Sequence, residues 1–268
     1  MASPRDYLIL RLWGPMASWG GIAVGEQRQT WTRPSRSGVL GIVAAALGYQ
    51  RADQAAHASL EHGIGLAIRV DNPGRPMRDY HTAQSPSSER NRRWTSRYDE
   101  VRNSAKLNTI LSDRDYLTEA SAVVALWLRP GCHVPPLPVL AQKLRTPSFA
   151  LYLGRKASPM GLPMLPRLGA AKSLFEALSQ FDTQERETAA VVEKAAGFFP
   201  KLLRDPAARP LVWLSRDDVE EPDQSHSGIG SFEIEEYTQR RDSIRDRRTW
   251  TFNDRAEVRV LLTGEKTL

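Results

Sequence analysis

One cysteine is all the chain has, so Cys132 can close no internal disulfide, and a cysteine-rich zinc site is excluded. Histidine is almost as sparse, with five in 268 residues: His57, His62, His81, His133 and His226. None stands in a zinc-binding spacing, and no Gly-x-x-x-x-Gly-Lys-Ser/Thr loop is present, so no metal or cofactor is expected. No Ser/His/Asp arrangement for nucleophilic catalysis stands out either. No apolar run approaches the roughly 20 residues that span a bilayer, and Asp6 and Arg11 interrupt the N-terminal apolar stretch. The expectation is a cytoplasmic protein with no membrane partner and no secretion signal. Lysine is scarce as well: 30 of the 37 basic side chains are arginine.

What the chain does have is enough apolar content, 41 %, for a real core, together with a net charge of +6. Arginine's planar fork binds phosphate through two donors and stacks on bases, which a lysine cannot do. A GC-rich genome accounts for arginine in place of lysine, but not for the excess of positive charge. A basic surface suits nucleic acid or an anionic membrane.

Along the chain, Tyr7 to Trp13 reads as a strand that Gly14-Pro15 stops. A loop rich in Gly, Trp and Arg follows, and then a helix predicted over Ser35 to Tyr49, closed by Gly48. Gly65 to Val70 is a second strand, Asn72-Pro-Gly-Arg-Pro76 a turn, and Met77 to Thr82 the start of a third. Residues 83 to about 115 break the apolar rhythm as a long polar insertion. Tyr116 to Leu128 resumes a strand, Leu137 to Leu144 is a helix, and Phe149 to Leu153 a further apolar piece. The order strand, helix, strand, strand, helix, strand predicts an α+β, ferredoxin-like domain of the kind used by RNA-recognition (RRM) modules, over residues 1–165. Residues 166–268 are expected to form a smaller, β-rich extension: helical over Ala170 to Gly197, with strands at Pro210 to Ser215, Phe232 to Arg240, Arg248 to Phe252 and Glu257 to Leu262.

Four clusters carry possible chemistry. At the loop and helix start, Arg33 and Arg36 are placed to pair with phosphates. The backbone N–H groups of Ser37 and Gly38, at the positive end of the helix dipole, would donate to the same anions. Trp19 or Trp31, beside the flexible Gly20, could stack on an unpaired base; the competing reading packs Trp13 and Trp19 into the core. In the insertion, six cations (Arg90, Arg92, Arg93, Arg97, Arg102 and Lys106) against Asp99 and Glu100 leave four positive charges in excess, interleaved with Trp94 and Tyr98. That pattern suits an arm laid along RNA or against a neighbour, and equally a solvated face. Tyr80 and His81, side by side near Arg78, raise metal-independent RNA cleavage, although a lone histidine is more often a hydrogen-bonded one. Arg155 and Lys156 after the Gly154 turn offer charge to phosphates. Arg240, Arg241, Arg245, Arg247 and Arg248, broken by Asp242 and Asp246, look like surface ion pairs or a subunit contact rather than an RNA groove.

Four matches in register carry a resemblance: the opening Leu8-Ile-Leu-Arg-Leu-Trp-Gly-Pro-Met-Ala-Ser-Trp-Gly20 with its continuation Thr32-Arg-Pro-Ser-Arg-Ser-Gly-Val-Leu-Gly41, then Arg78-Asp-Tyr-His-Thr82, Val123-Val-Ala-Leu-Trp-Leu128 and Tyr152-Leu-Gly-Arg-Lys156. They resemble the CasD (Cas-five) family, subunits of type I-E CRISPR Cascade surveillance complexes in antiviral defence, over roughly the first 165 residues. The resemblance implies that the insertion is a β-hairpin thumb. It implies a non-catalytic subunit holding the 5′ handle of the CRISPR RNA, with the adjacent Cas-seven backbone subunit and the large PAM-recognising subunit as partners. Arg33, Arg36, Arg155 and Lys156 would then fix the handle backbone and the thumb cations the guide. Two rivals stay open: an endoribonuclease centred on Tyr80 and His81, as some relatives process their own precursor RNA, and a mainly protein-binding scaffold.

Overall fold

The leucine-rich run Tyr7 to Trp13 is buried on both of its faces, so its sheet is covered by a layer on each side. The structure, a computed structural model, describes residues 3–21, 23, 25–86, 93–102, 107–196, 210–219, 229–246, 249 and 251–263. The first half holds β1 (Arg5–Trp13), short strands β2 (Met16–Ala17), β3 (Trp19–Gly20), β4 (Gln27–Arg28) and β5 (Thr30–Trp31), then α1 (Arg36–Leu47) and α2 (Gln54–Gly63). β6 (Ile64–Asn72), β7 (Arg75–Pro86), α3 (Arg97–Arg102), β8 (Leu107–Thr118), β9 (Ser121–Leu128) and α4 (Leu137–Arg145) follow. The rest comprises β10 (Arg167–Ala171), α5 (Leu174–Ala196), β11 (Leu211–Ser215), α6 (Arg216–Val219), β12 (Phe232–Asp246) and β13 (Thr251–Leu262).

The main sheet runs β10-β1-β9-β6-β11-β13-β12, antiparallel at every step. Period-two alternation divides each strand between two cores. Leu8, Leu10 and Leu12 of β1, with Leu66, Val124 and Leu126, face α1, α2 and α4. Tyr7 and Ile9, with Val123, Ala125 and Trp127, face α5 through Leu174, Leu178 and Phe181. The alternation continues on β13, but only one side is apolar. Val258, Val260 and Leu262 join the α5 core, while Arg255 and Glu257 project to the opposite side into ion pairs. Because α5 covers the face away from α1 and α4, that face offers no open platform for bases.

Local chemistry explains the predicted elements. Ser35 caps α1 by accepting from the Gly38 N–H at 3.0 Å, and Gly48 ends it at φ +84°. Helix α2 had no predicted counterpart: its sequence, with three alanines and a single leucine, forms helix without a broad apolar stripe. The piece Phe149 to Leu153 is not a strand. Phe149 is exposed, the segment makes only a bridge at Tyr152, and the strand that pairs with the far side of β1 is β10. The boundary expected near residue 165 therefore falls inside one sheet, which β10 joins at β1 and β11 joins at β6.

The described ends of the insertion pair with each other. β7 and β8 pair without a break from Arg75↔Thr118 to Pro86↔Leu107, about 40 Å of two-stranded ribbon outside the main sheet. Arg97–Arg102 of the insertion is helical rather than extended, and β2 and β4 brace β8 at its base.

One buried hydroxyl makes the fold sensitive to alkali. Tyr7 is 1 % exposed, with its ring edge-on to Trp127 at 6.0 Å, and burial pushes its pKa up to about 12 against a smaller opposing effect of Arg5. Unfolded, it ionises near 10, so its contribution of roughly 3 kcal/mol is present below pH 10 and lost as pH rises through about 12. An absorbance titration is expected to show one tyrosine ionising late and together with unfolding, and Tyr7→Phe to remove that coupling.

Candidate nucleic-acid interface

Four segments of the chain meet around one open cleft of about 880 Å³. Trp19 and Gly20 of β3 form one end, and Ser35, Ser37, Gly38, Gly41 and Ile42 of α1's first turns form the floor. The loop Ala150 to Gly154 forms the near wall, and Arg241, Arg245, Thr251 and Asp254 of the β12–β13 hairpin form the far one. The loop is held in place by the Ser18 N–H donating to the Leu153 carbonyl at 3.0 Å and the Leu153 N–H donating to Ser158 at 2.7 Å.

The structure brings Trp19, Gly20, Ser37 and Gly38 together here, but not in the roles expected of each. Trp19 is 3 % exposed and packs in the core, so it is no stacking surface; Trp31 is exposed, with Arg240 4.9 Å from its ring centre. The Gly38 N–H is taken by Ser35, and the Arg36 N–H by Asp242 Oδ2 at 2.8 Å. The first turn of α1 does bind an anion, and the anion is the protein's own carboxylate.

Arg33 and Arg36 do not face an RNA backbone. Arg36 is 1 % exposed; its Nε donates to Glu61 Oε1 at 3.0 Å and its Nη2 to the carbonyls of Glu61 and Ile64. Burial draws its pKa down, with Glu61 opposing. Arg33 lies 3.6 Å over the Trp213 ring and is paired with Glu257. Glu257 also pairs with Arg255 at 2.9 Å, Arg255 with Asp242 at 2.9 Å, and Arg240 donates to the Pro34 carbonyl at 2.9 Å. This buried network bolts the C-terminal hairpin to the start of α1. With carboxylates this close, a buried guanidinium is most stable turned inward.

Arg155 is likewise structural. Its two Nη atoms donate to the carbonyls of Asp115 at 3.1 Å and Arg28 at 2.7 Å, and it lies 4.9 Å from the Tyr116 ring centre, pinning the loop to the hairpin arm. Lys156 is exposed beside it. On the arm, Arg93 is exposed, Arg97 pairs with Glu100 at 2.5 Å and Arg102 rests 5.5 Å from the Tyr98 ring centre. Arg92 and Lys106 lie outside the described residues. His81 reaches Asp79, two residues away on the same side of β7, while Tyr80, 62 % exposed, points to the other side. No described residue of the arm lines the cleft, so the structure does not gather arm cations, His81 and α1 into one site.

Sequence reasoning missed the far wall. Arg241 pairs with Asp254 at 2.9 Å, and each raises or lowers the other's pKa in the usual direction, Arg241 up and Asp254 down. Arg245 is exposed at the same wall. A signal was present: in Arg240 to Asp246, two positions are buried and two are cleft-lining cations, a pattern that alternating charge alone could not sort.

Comparison with known proteins agrees with this architecture. A family model for CRISPR-associated protein (Cas_Cas5) matches residues 7–249. The CRISPR system Cascade subunit CasD of Escherichia coli (strain K12) is 34 % identical over 168 residues, covering 60 % of this chain and 70 % of that one. A chain of a solved CRISPR RNA-guided surveillance complex is similar at TM-score 0.56 and 26 % identity, covering 97 % of this chain and 95 % of that one. A crystal structure of a Cas protein shares the fold at TM-score 0.55 and 24 % identity, covering 95 % and 94 %. Among the described residues no helix is long and apolar enough to cross a membrane.

Proposed function

The chain belongs to the CRISPR-associated Cas5 family, and from that premise we propose that it is a non-catalytic subunit of a type I-E Cascade complex, holding the 5′ handle of the CRISPR RNA in the cleft at α1. The carrying observation is the convergence on one 880 Å³ cleft of Trp19–Gly20, Ser37–Gly38 and the Tyr152 loop, which the family resemblance singles out from three separate stretches of sequence. A cleft of that size, open along one side and floored by small residues, lets a kinked single strand approach backbone closely, with its base edges open to be read.

The strand order β10-β1-β9-β6, crossed on one face by α1 and α4, supports a ferredoxin-like core, and the β7–β8 hairpin supports a thumb. In that reading the thumb, with its exposed Arg93, Arg97 and Arg102, lies along the guide, and the Cas-seven backbone subunit and the large PAM-recognising subunit are the protein partners. The nuclease alternative asks Tyr80 and His81 to act on one phosphate. On β7 they point to opposite sides, which argues against it.

The test is binding of a handle-bearing CRISPR RNA to the purified chain without metal, against a scrambled handle, co-expressed with its neighbours if it is insoluble alone. Preferential binding, intact RNA and a loss of at least about tenfold on Ser37→Glu, which sets a carboxylate on the cleft floor, are the expected results. Specific cutting at the handle boundary that His81→Ala abolishes would make this a processing enzyme. No preference for the handle, with Ser37→Glu binding as the wild type does, would leave a protein scaffold.

A further inference from the structure

Arg33, Arg36 and Arg155 are committed elsewhere, and neither Lys156 nor Arg93 lines the cleft, so its positive charge has to come from other residues. We propose that Arg241 and Arg245 on the β12–β13 hairpin are its phosphate contacts, and that Asp242 is the positioning residue seating this wall on the first turn of α1. The inference rests on the RNA reading of the cleft given above.

Arg33, Arg36, Arg240 and Arg255 are buried or nearly so, and their donors are turned to Glu257, Glu61, Asp242 and backbone carbonyls. Releasing any of them would strand a carboxylate out of water. Arg241 differs: in its pair with Asp254 the side chains are 52 % and 53 % exposed. An ion pair so open to solvent and salt is held weakly, and exchange of the carboxylate for a phosphate costs little. Arg245 lines the same wall and is exposed to the same space.

Position follows from Asp242. Its Oδ2 accepts from the Arg36 N–H at 2.8 Å, the place where a bound anion meets a helix start, and both its oxygens accept from Arg255, at 2.9 and 3.1 Å. Strand β12 shifts register against β13 between Arg241 and Ser243, and again between Ile244 and Asp246. Such bulges re-aim side chains, and here Asp242 is buried on α1 while its neighbour Arg241 is left at the cleft. The carboxylate takes the anion position of the helix and presents two arginines in exchange.

The experiment is handle-RNA affinity as a function of salt for a set of variants in the full chain. Arg241→Ala and Arg245→Ala are each expected to weaken binding about three- to tenfold at 0.15 M salt and to flatten the log–log salt slope by about 0.7. Asp254→Asn is expected to tighten binding, since it frees Arg241, and adding Arg241→Ala should cancel the gain. A purely structural role for the pair would give no tightening. Asp242→Asn should flatten the slope as much as Arg241→Ala and Arg245→Ala combined in one chain, with melting and circular dichroism confirming a folded chain; if it does not fold, the Asp254→Asn pair of measurements carries the test. Wild-type handle binding that Ser37→Glu weakens but both arginine variants leave unchanged in affinity and slope overturns this inference alone. A wild type with no handle preference overturns the RNA reading beneath it.

Discussion

Arg36→Ala is expected to unfold the protein under conditions where the wild type is intact, at a cost of about 3–5 kcal/mol. The side chain is at once an ion pair and a helix cap. Its Nη2 donates to the carbonyls of Glu61 at 2.5 Å and Ile64 at 2.7 Å, where α2 ends and β6 begins, so the cation sits at the negative end of the α2 dipole. Alanine removes the charge opposite Glu61, itself only 8 % exposed, and leaves carbonyls that no water can reach easily. The remaining bond from Ser243 Oγ to Glu61 at 3.1 Å is a neutral donor and cannot take the place of a guanidinium. Urea denaturation measures the loss. Arg36→Met combined with Glu61→Leu takes away both charges together and is expected to recover the part due to the unpaired carboxylate, leaving the cost of the two uncapped carbonyls. A normally melting Arg36→Ala that had lost only RNA affinity would return Arg36 to the role its sequence position suggested.

That role was a reasonable expectation, and the way it failed is instructive. Local patterns were legible. Tyr7 to Trp13, Gly65 to Val70 and Val123 to Leu128 announce strands through their apolar runs, and Ser35 and Gly48 bracket α1 through cap chemistry that depends on neighbouring residues only. A charged side chain is different, because its fate depends on a partner that the sequence does not name. Glu257 stands 224 positions from Arg33, and Asp242 stands 206 from Arg36. Nothing near residue 36 shows that a carboxylate will arrive from β12 to claim the helix start. For the same reason the charged stretch of β12 could be read as ion pairs, which Arg241 and Asp254 do form, while its burial at Arg240 and Asp242 was hidden. The cleft itself was legible in pieces. Its floor and near wall lie in the motifs at residues 19–20, 37–38 and 152–154, but their meeting in space is a property of the sheet order.

The near wall depends on one backbone position, and Gly154→Ala is expected to destabilise the protein by roughly 2–5 kcal/mol. Gly154 has φ +86°, a conformation that alone costs an L residue roughly 1–2 kcal/mol. Steric exclusion adds to this, because a β-carbon there would stand 1.8 Å from the Ser18 carbonyl oxygen and 2.8 Å from its carbon. Ser18 cannot step aside. Its N–H donates to the Leu153 carbonyl at 3.0 Å, its Oγ donates to the Asp115 carbonyl at 3.0 Å, and the next N–H, of Trp19, donates to Thr30 Oγ1 at 2.8 Å. Moving it would also shift the Trp19 ring, which is packed against the place where a β-carbon on Gly38 would lie, 3.7 Å away. Gly131→Ala separates the two contributions: that glycine has φ +71° and nothing within 4 Å of an added β-carbon, so it should show the conformational cost alone. Thermal melts of both variants, followed by handle-RNA binding at a temperature where each is folded, make the comparison. Gly131→Ala should bind as the wild type does. Gly154→Ala should bind more weakly even while folded, because the clash is relieved only by pushing the Tyr152 loop away from Ser18, and that loop is one side of the cleft. Equal melting losses for the two glycines, with RNA binding untouched in both, would mean that the loop yields freely and that the wall is not rigid.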